Sequence, residues 1–301
     1  MNTNIPILFY NFYHNGDLFH SKAFVKEIIN NIPVPAYYAH CNHPKVLIDL
    51  NLNQIELQQG MPIDSDKVIA AENLCLVNTW IGAYFKSGVP GHKEGSCTLG
   101  FTYGMYEYIY DQLNQIYGCN LKLNPNKAEY FSTIDFDKFD LSKVDGYLNN
   151  DQKRKILISN GPGMSGQSSS YNNNMQNVVE NLAISYDDMT FICTSKFNTN
   201  KSIILFTNDI TQQSECDLNE ISYLSKFCDI IIGRSSGPFC FSSIKENIED
   251  SSKTFICVGT KISDCYQFNE KTNSKFIFEQ FSSEENFLNT IKTEIDGLIN
   301  P

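Results

Sequence analysis

Residues 228–238 read Cys228-Asp229-Ile230-Ile231-Ile232-Gly233-Arg234-Ser235-Ser236-Gly237-Pro238, and this stretch decides the fold. Three isoleucines run directly into Gly233, and small residues then lead to Pro238. A short apolar run that ends in a Gly/Ser turn predicts a strand buried in a parallel sheet, followed by a loop into a helix. Proline is tolerated at the first helical position because its missing N–H would have no partner there.

The loop after this strand has the composition of an anion-binding turn. Ligands of open α/β sheets bind beyond the carboxyl ends of the strands, and the N–H groups at a helix start favour anions. We interpret the turn as a phosphate- or sugar-binding loop formed by Arg234, Ser235, Ser236, Gly237 and Pro238. An ordinary strand-to-helix loop, in which Gly233 only permits the turn, is the alternative.

Length and charge narrow the class of protein. A chain of 301 residues with 42% hydrophobic and 19% charged residues predicts a globular protein of two domains. The formal net charge of -11 repels nucleic-acid phosphates and anionic lipid headgroups, so we expect no nucleic-acid partner. No apolar run reaches ~18 residues, so we expect no transmembrane segment. The first residues lack the pattern of a signal peptide.

The ten cysteines include no CxxC pair. Two of them lie in apolar runs, Phe191-Ile192-Cys193 and Phe255-Ile256-Cys257. Such cysteines behave as small buried hydrophobic residues in a reducing compartment. We therefore expect a cytoplasmic protein.

Strand and helix patterns alternate along the chain, which predicts an α/β protein with a parallel, doubly wound sheet. The polar run 148–155 is interpreted as a linker, giving domains 1–150 and 151–301. Asp217, with Glu220 three residues later, has the pattern of a capping box. The predicted strands are 5–12, 37–39, 46–48, 74–77, 156–159, 190–193, 203–206, 229–233, 254–258 and 276–278. The predicted helices are 21–30, 99–117, 175–184, 217–227, one ending near 248, and 284–298.

Asn15-Gly16-Asp17 follows the first strand and precedes the first helix. Gly16 permits the turn, and helix N–H groups would keep the Asp17 carboxylate ionised. Asp17 could then act as a general base on an acceptor hydroxyl; a plain helix cap is the alternative. His14 and His20 flank it and could share the acid/base role or bind a phosphate, or be structural.

A second Gly/Ser loop, residues 160–168, follows the strand 156–159. It has neither the Gly-Lys-Ser/Thr of a P-loop nor the GxGxxG spacing. We interpret it as a nucleotide or substrate loop. Its candidate donor-binding residues are Asn160, Gly161, Gly163, Ser165, Gly166 and Gln167. Thr207 and Asn208 end another strand and could reach a base or ribose, or form a turn.

Three acidic or histidine-containing runs raise the question of a metal. Asp64-Ser65-Asp66 and Asp135-Phe136-Asp137 could hold Mg²⁺ against a diphosphate, but neither follows a strong apolar strand. His40-Cys41-Asn42-His43 lacks a second ligand pair at a zinc spacing. We expect no metal site.

Two of these motifs together resemble the heptosyltransferase-like glycosyltransferases, of the ADP-heptose:lipopolysaccharide heptosyltransferase type. Residues 15–17 resemble their Gly-Asp turn after strand one. Residues 232–239 resemble their late donor loop, although Arg234-Ser235-Ser236 stands where an acidic residue and Thr commonly precede the Gly. The likeness covers the layout of nearly the whole chain.

The resemblance implies a GT-B fold, with two Rossmann-like domains facing a cleft. It implies that residues 1–150 bind the acceptor and residues 151–301 the nucleotide-sugar. We leave open that the terminal helix packs back on the first domain. Asp17 would be the base, and Ser235, Ser236 and Gly237 would hold the donor diphosphate. The nucleotide-sugar is then a substrate, and neither a metal nor a cofactor is expected.

The expected function is transfer of a hexosyl or heptosyl group from a nucleotide-sugar to a glycan hydroxyl. A nucleotide-sugar epimerase of the same architecture is one alternative, and a non-catalytic sugar- or nucleotide-binding protein is another, since fold alone does not fix function. The donor, the acceptor, the stereochemical course, the oligomeric state and the part played by His14 or His20 stay open.

Overall fold

The computed structural model describes residues 4–57, 68–84, 98–161, 175–212, 216–234, 236–258, 272–279 and 283–300. They form two compact units, one of the described residues up to Asp135 and one of those from Phe136 onward. The run 148–155, expected to be a linker, lies inside the second unit. Its first residues end the helix Ser142–Asn150, and its last residues begin the strand Arg154–Ser159. The helix belongs to the second unit because half-buried Tyr147 packs against a hydrophobic core of that unit.

The first unit is built on a five-stranded sheet with the order β3-β2-β1-β5-β4. Only β4 runs antiparallel to its neighbour; the other pairs are parallel. The strands are β1 Ile7–Asn11, β2 Ala36–His40, β3 Asn53–Glu56, β4 Val68–Ala70 and β5 Cys75–Asn78. The helices are α1 Asn15–Asn31 and α2 Leu99–Tyr117, with 3-10 helices at Pro44–Leu50, Ile81–Tyr84 and Lys127–Tyr130.

Helix α2 has the predicted bounds. The Thr98 hydroxyl accepts a hydrogen bond from the N–H of Phe101 at 3.3 Å, which caps the first turn. Gly118 ends the helix at a φ of 65°, a conformation that glycine adopts without a Cβ penalty.

The strand predicted at 46–48 is wrong, because Pro44–Leu50 is a 3-10 helix. Pro44 opens this helix, and the ring Nδ1 of His43 accepts the N–H of Lys45 at 3.2 Å. These local bonds favour a helical turn over an extended segment. A three-residue apolar run fits either structure, since both bury it.

The second unit is built on a six-stranded, fully parallel sheet with the order β11-β10-β9-β6-β7-β8. Counted from β6, this is the strand order 3-2-1-4-5-6 of the Rossmann fold. The strands are β6 Arg154–Ser159, β7 Met189–Cys193, β8 Ile204–Phe206, β9 Ile230–Gly233, β10 Thr254–Val258 and β11 Lys275–Glu279. The helices are α3 Ser142–Asn150, α4 Gln176–Ser185, α5 Thr207–Ile210, α6 Leu218–Ser225, α7 Gly237–Ser242, α8 Lys245–Glu249 and α9 Glu284–Ile299.

Alternate residues of the central strands enter two separate cores, as the predicted doubly wound sheet requires. Ile230 and Ile232 pack into one core, and Ile231 packs into the other. The terminal helix α9 contributes Phe287 and two further apolar residues to the first of these cores, so its buried face belongs to the second unit. Cys193 and Cys257 are buried in strands, as expected.

Two helix predictions in the second unit need correction. The helix expected to run on to residue 248 is two short helices, α7 and α8. The capping box does not form, because both carboxylates serve other donors. Asp217 accepts the Thr211 hydroxyl at 3.3 Å, and Glu220 accepts the N–H of Gln212 at 2.8 Å. Within the described ranges, no helix is long and apolar enough to cross a membrane.

Candidate functional site

The second sheet has its topological switch point between β6 and β9, where the strand order reverses. Ser159, the last residue of β6, pairs in register with Gly233, the last residue of β9. The Ser159 hydroxyl lies 2.7 Å from the hydroxyl of Ser236, so the two loops are joined directly after their strands. Open α/β sheets bind their ligands at such a point, outside the carboxyl ends of the strands.

Arg234 belongs to the loop after β9, and its side chain binds the start of the loop after β6. Its side chain is 1% exposed. The guanidinium Nη2 donates to the carbonyl oxygens of Asn160 at 3.1 Å and Gly161 at 2.5 Å. The sequence predicted that Arg234 lies in the site, but not that the guanidinium binds backbone carbonyls.

The start of the β6 loop is also fixed from the β7 side. The Asn160 side chain donates to the carbonyl of Ser195 and accepts its N–H, both at 2.8 Å. A Cβ on Gly161 would lie 2.8 Å from the Ser195 hydroxyl, and one on Gly233 would lie 2.7 Å from the Phe239 ring. Close approach therefore requires glycine at position 233, whereas at position 161 the Ser195 hydroxyl would have to turn away.

The remaining predicted donor residues separate into three groups. Gly237 and Pro238 form the first turn of α7, with Pro238 where the sequence predicted a helix start. Thr207 is buried and Asn208 is exposed at the end of β8, which β7 separates from β6. The structure therefore does not bring them beside Arg234. Outside the described residues lie Gly163, Ser165, Gly166, Gln167 and Ser235.

The first sheet has a similar switch point between β1 and β5. Asn11 ends β1, and its side-chain oxygen accepts the N–H of Tyr13 at 2.8 Å. Asn78 ends β5, and its side-chain oxygen accepts the N–H of Trp80 at 2.9 Å. The same turn thus follows both strands and leads into an aromatic residue.

Asp17 lies in the first turn of α1, directly after this edge of the sheet. Its N–H donates to the carbonyl of His14, which occupies the cap position. The side chain is partly buried, and burial raises the pKa of the Asp17 carboxyl to about 7. The expectation of a fully ionised carboxylate is therefore corrected: desolvation outweighs the helix N–H groups. A group with this pKa can accept a proton near neutral pH.

The two histidines differ in their surroundings. His20 is buried, and burial lowers the pKa of its imidazole to about 3, so the ring is neutral at physiological pH. A neutral ring gives no charge to a phosphate, which argues against that part of the prediction. His14 is exposed at the start of α1, one residue from Tyr13.

Buried polar groups surround Asp17. The Tyr38 hydroxyl lies 2.5 Å from the Thr79 hydroxyl, which in turn donates to the carbonyl of Tyr10 at 3.1 Å. Burial raises the pKa of Tyr38, and the nearby charge of Asp17 raises it further. Asp17 thus lies close to a network that joins β1, β2 and β5.

Sequence reasoning missed Asn11, Asn78 and the aromatic residues that follow them. A signal was present: Asn11-Phe12-Tyr13 and Asn78-Thr79-Trp80 share the pattern Asn-x-aromatic after an apolar run. Asparagine is frequent in such turns because its side chain bonds the backbone two residues on.

Among the residues that the structure describes, no group of three or more His, Cys, Asp or Glu side chains is placed to hold a metal. Asp64-Ser65-Asp66 lies outside that part of the chain. Asp135 and Asp137 are exposed at a 3-10 turn, as expected for a solvated segment. His40 bonds Gln54 at 2.6 Å through Nε2.

Solved structures share this fold at low sequence identity. The glycosyl transferase family 9 protein from Veillonella parvula DSM 2008 matches with a TM-score of 0.51 at 9% identity, over 97% of this chain and 90% of that one. E. coli ADP-heptose lps heptosyltransferase II matches with a TM-score of 0.52 at 9% identity, over 96% and 98%. E. coli heptosyltransferase WaaC with ADP matches with a TM-score of 0.50 at 8% identity, over 98% of both chains.

No family model matches the sequence, and no curated protein matches it. The likeness to the three glycosyltransferases is one of fold. At that level it confirms the resemblance drawn from residues 15–17 and 232–239.

Proposed function

We propose that the protein is a glycosyltransferase of GT-B architecture that moves a sugar from a nucleotide-sugar to a glycan hydroxyl. The observation that carries this proposal is the position of Asp17 in the first turn of α1, after the carboxyl end of β1, where burial raises the pKa of its carboxyl to about 7. The fold shared with known glycosyltransferases supports it. The buried free thiols of Cys193 and Cys257 favour a cytoplasmic location.

The donor would bind at the β6–β9 switch point of the second unit. N–H groups of the two loops would donate hydrogen bonds to the diphosphate oxygens, as they do in Rossmann-type sites. Arg234 would act on the donor through the loop, because its guanidinium holds the carbonyls of Asn160 and Gly161. Rigid N–H dipoles stabilise a leaving diphosphate without reorganising during the reaction.

The acceptor would bind at the carboxyl edge of the first sheet. The Asp17 carboxylate would take the proton of the acceptor hydroxyl while the acceptor oxygen bonds to the donor sugar. The bond from that sugar to the diphosphate breaks in the same step, and the nucleoside diphosphate leaves. A carboxyl group is far less basic than an alkoxide, so it assists only while the leaving group departs.

Single-turnover sugar transfer by Asp17→Asn tests the proposal. Asparagine keeps the size of the side chain but cannot take the proton, so transfer should fall roughly 10²-fold or more while nucleotide binding persists. Asp111→Asn, at an exposed position of α2, is the matched control and should transfer normally. Near-normal transfer by Asp17→Asn would refute the role of this residue.

A ligand screen followed by product analysis separates the transferase from the epimerase and the binding protein. The wild-type protein is first screened by thermal shift with ADP, UDP and GDP, and then supplied with the matching nucleotide-sugars with and without glycan acceptors. A transferase gives an extended glycan, an epimerase gives a changed sugar without an acceptor, and a binding module gives only the thermal shift.

A further inference from the structure

We propose that Tyr13 and Trp80, here called the aromatic platform, bind a neutral sugar ring of the acceptor. This inference rests on the proposed function and names the acceptor class for the same site. The rings of Tyr13 and Trp80 are stacked, with centroids 4.0 Å apart and planes 29° apart. They follow β1 and β5, the two strands that meet at the switch point of the first sheet.

Hydrogen bonds with three asparagine side chains and packing against the backbone fix the position of the aromatic platform. The two asparagine turns fix the N–H groups of Tyr13 and Trp80, and the Asn42 side chain donates to the carbonyl of Tyr13 at 2.8 Å. A Cβ on Gly82 would lie 2.4 Å from the indole ring, so the indole packs directly against that backbone. A ring held in one place binds a ligand at little cost in conformational entropy.

The outer ring of the platform is open to a ligand. Tyr13 is 46% exposed, although it already covers part of the indole. The apolar C–H face of a sugar ring stacks on such an aromatic surface, while its hydroxyls keep their water. The Asn11 side-chain nitrogen is buried and has no hydrogen-bond partner in the described part of the chain.

The location of the platform suits the acceptor. The N–H of Asp17 donates to the carbonyl of His14, the residue after Tyr13, at 3.1 Å. The backbone of Tyr13 therefore lies within about one helical turn of the backbone of the proposed base.

The charge around the platform favours a neutral sugar over an acidic one. The segments 11–17, 40–42 and 78–82 at this edge contain no Lys or Arg, and their one acidic residue is Asp17. The whole chain carries a formal net charge of -11. An anionic sugar would meet like charge there with no cation from these segments to offset it.

Trp80 is the chain's single tryptophan, so its fluorescence reports binding at the platform directly. The full-length protein is titrated with maltotetraose, cellotetraose, mannotriose and tri-N-acetylchitotriose, and with sialyllactose as the acidic comparison. We expect a saturable change of emission with at least one neutral oligosaccharide and weaker binding of sialyllactose. No change with any neutral sugar, or stronger binding of sialyllactose, would overturn the inference.

Variants identify the ring that binds. Tyr13→Ala should raise the Kd for the neutral sugar, measured by calorimetry, by about tenfold, whereas Tyr13→Phe should leave the Kd unchanged. Phe227→Ala is the matched control: Phe227 is also 46% exposed and contacts another aromatic ring, but it lies in the second unit. An unchanged Kd in Tyr13→Ala, with an unchanged melting temperature, contradicts the inference.

This titration needs neither nucleotide nor turnover, so its failure is distinct from failure of the proposed function. Sugar binding at the platform without any transfer contradicts the proposed glycosyltransferase function and supports the proposed role of the platform. Transfer by Tyr13→Ala with an unchanged KM for the acceptor contradicts the proposed role of the platform and supports the proposed glycosyltransferase function.

Discussion

At the scale of single residues, the proposed role of Asp17 as a base would make activity and stability depend on pH in opposite directions. Its pKa is about 7 in the folded protein and 3.8 ordinarily. Between these values the folded state holds a proton that the unfolded chain has released, so stability falls as pH rises through this window. The rate behaves oppositely, because a base works only when ionised: kcat/KM should rise with pH up to about 7 and then level off.

Melting curves of wild type and Asp17→Asn across pH test this linkage. Asparagine is neutral at every pH, so the variant should melt higher than wild type above about pH 7. The gap should shrink as the pH falls towards 3.8. Asp111→Asn, at an exposed position of α2, is the matched control. A gap that stays constant with pH would mean that Asp17 titrates normally.

Arg234 should matter for both stability and nucleotide binding. Arg234→Ala removes this donor from the buried carbonyl of Asn160 and from the half-buried carbonyl of Gly161, and one unsatisfied buried group costs about 1–3 kcal/mol. We expect urea unfolding to show a loss of about 2 kcal/mol and nucleotide affinity to fall with it. Arg154→Ala, at the exposed start of β6, should stay within about 0.5 kcal/mol of wild type.

A different result would reassign the residue. Weaker nucleotide binding at unchanged stability would mean that the Arg234 guanidinium contacts the ligand itself. Loss of stability with unchanged affinity would make it purely structural.

At the scale of elements, the end of β9 is too closely packed for a side chain. Gly233→Ala would place a Cβ 2.7 Å from the Phe239 ring and 2.8 Å from the Cβ of Ser159. Overpacking of this kind costs about 1–3 kcal/mol, and it would move α7 away from the switch point. We expect lower unfolding free energy and weaker nucleotide binding.

Gly146→Ala is the control for this substitution. Gly146 lies inside α3, and a Cβ there meets nothing within 4 Å. Alanine should therefore stabilise the helix by up to about 1 kcal/mol. Equal effects of the two substitutions in denaturant titrations would contradict the steric argument.

The elements that the sequence predicts well are those with local signals. Helix α2 begins after the Thr98 cap and ends before Gly118, and each of these residues lies within one turn of the helix end that it marks. The strand at 46–48 was wrong because three apolar residues do not distinguish a strand from a buried turn. The capping box was wrong because Glu220 bonds Gln212, a contact outside its own helix.

The candidate site was predictable to the same extent. The loop starts after β6 and β9 follow from sequence, because each comes directly after an apolar strand. The turn predicted at residues 15–17 is wrong, since these residues are the first turn of α1, which begins at Asn15 and not near residue 21. The inward direction of the Arg234 side chain, the raised pKa of Asp17 and the pairing of Tyr13 with Trp80 depend on contacts between segments far apart in the chain. A single sequence does not specify these contacts.

At the scale of the whole molecule, we expect transfer to need no metal ion. The proposal assigns the leaving diphosphate to loop N–H groups, which leaves no step for a divalent cation. Transfer after dialysis against EDTA should equal that of the untreated protein, and added Mg²⁺ or Mn²⁺ should not raise it. Loss of transfer that Mg²⁺ restores would contradict this assignment.

The strand order of the second sheet also governs when the proposed nucleotide site can form during biosynthesis. Ile156 of β6 pairs with Ile230 of β9, although β7, β8 and three helices lie between them in the chain. Pairs so distant in sequence close slowly and late, because the intervening loop entropy must be overcome first. A nascent chain has no switch point until β9 leaves the ribosome, so bound nucleotide can stabilise only the finished second unit.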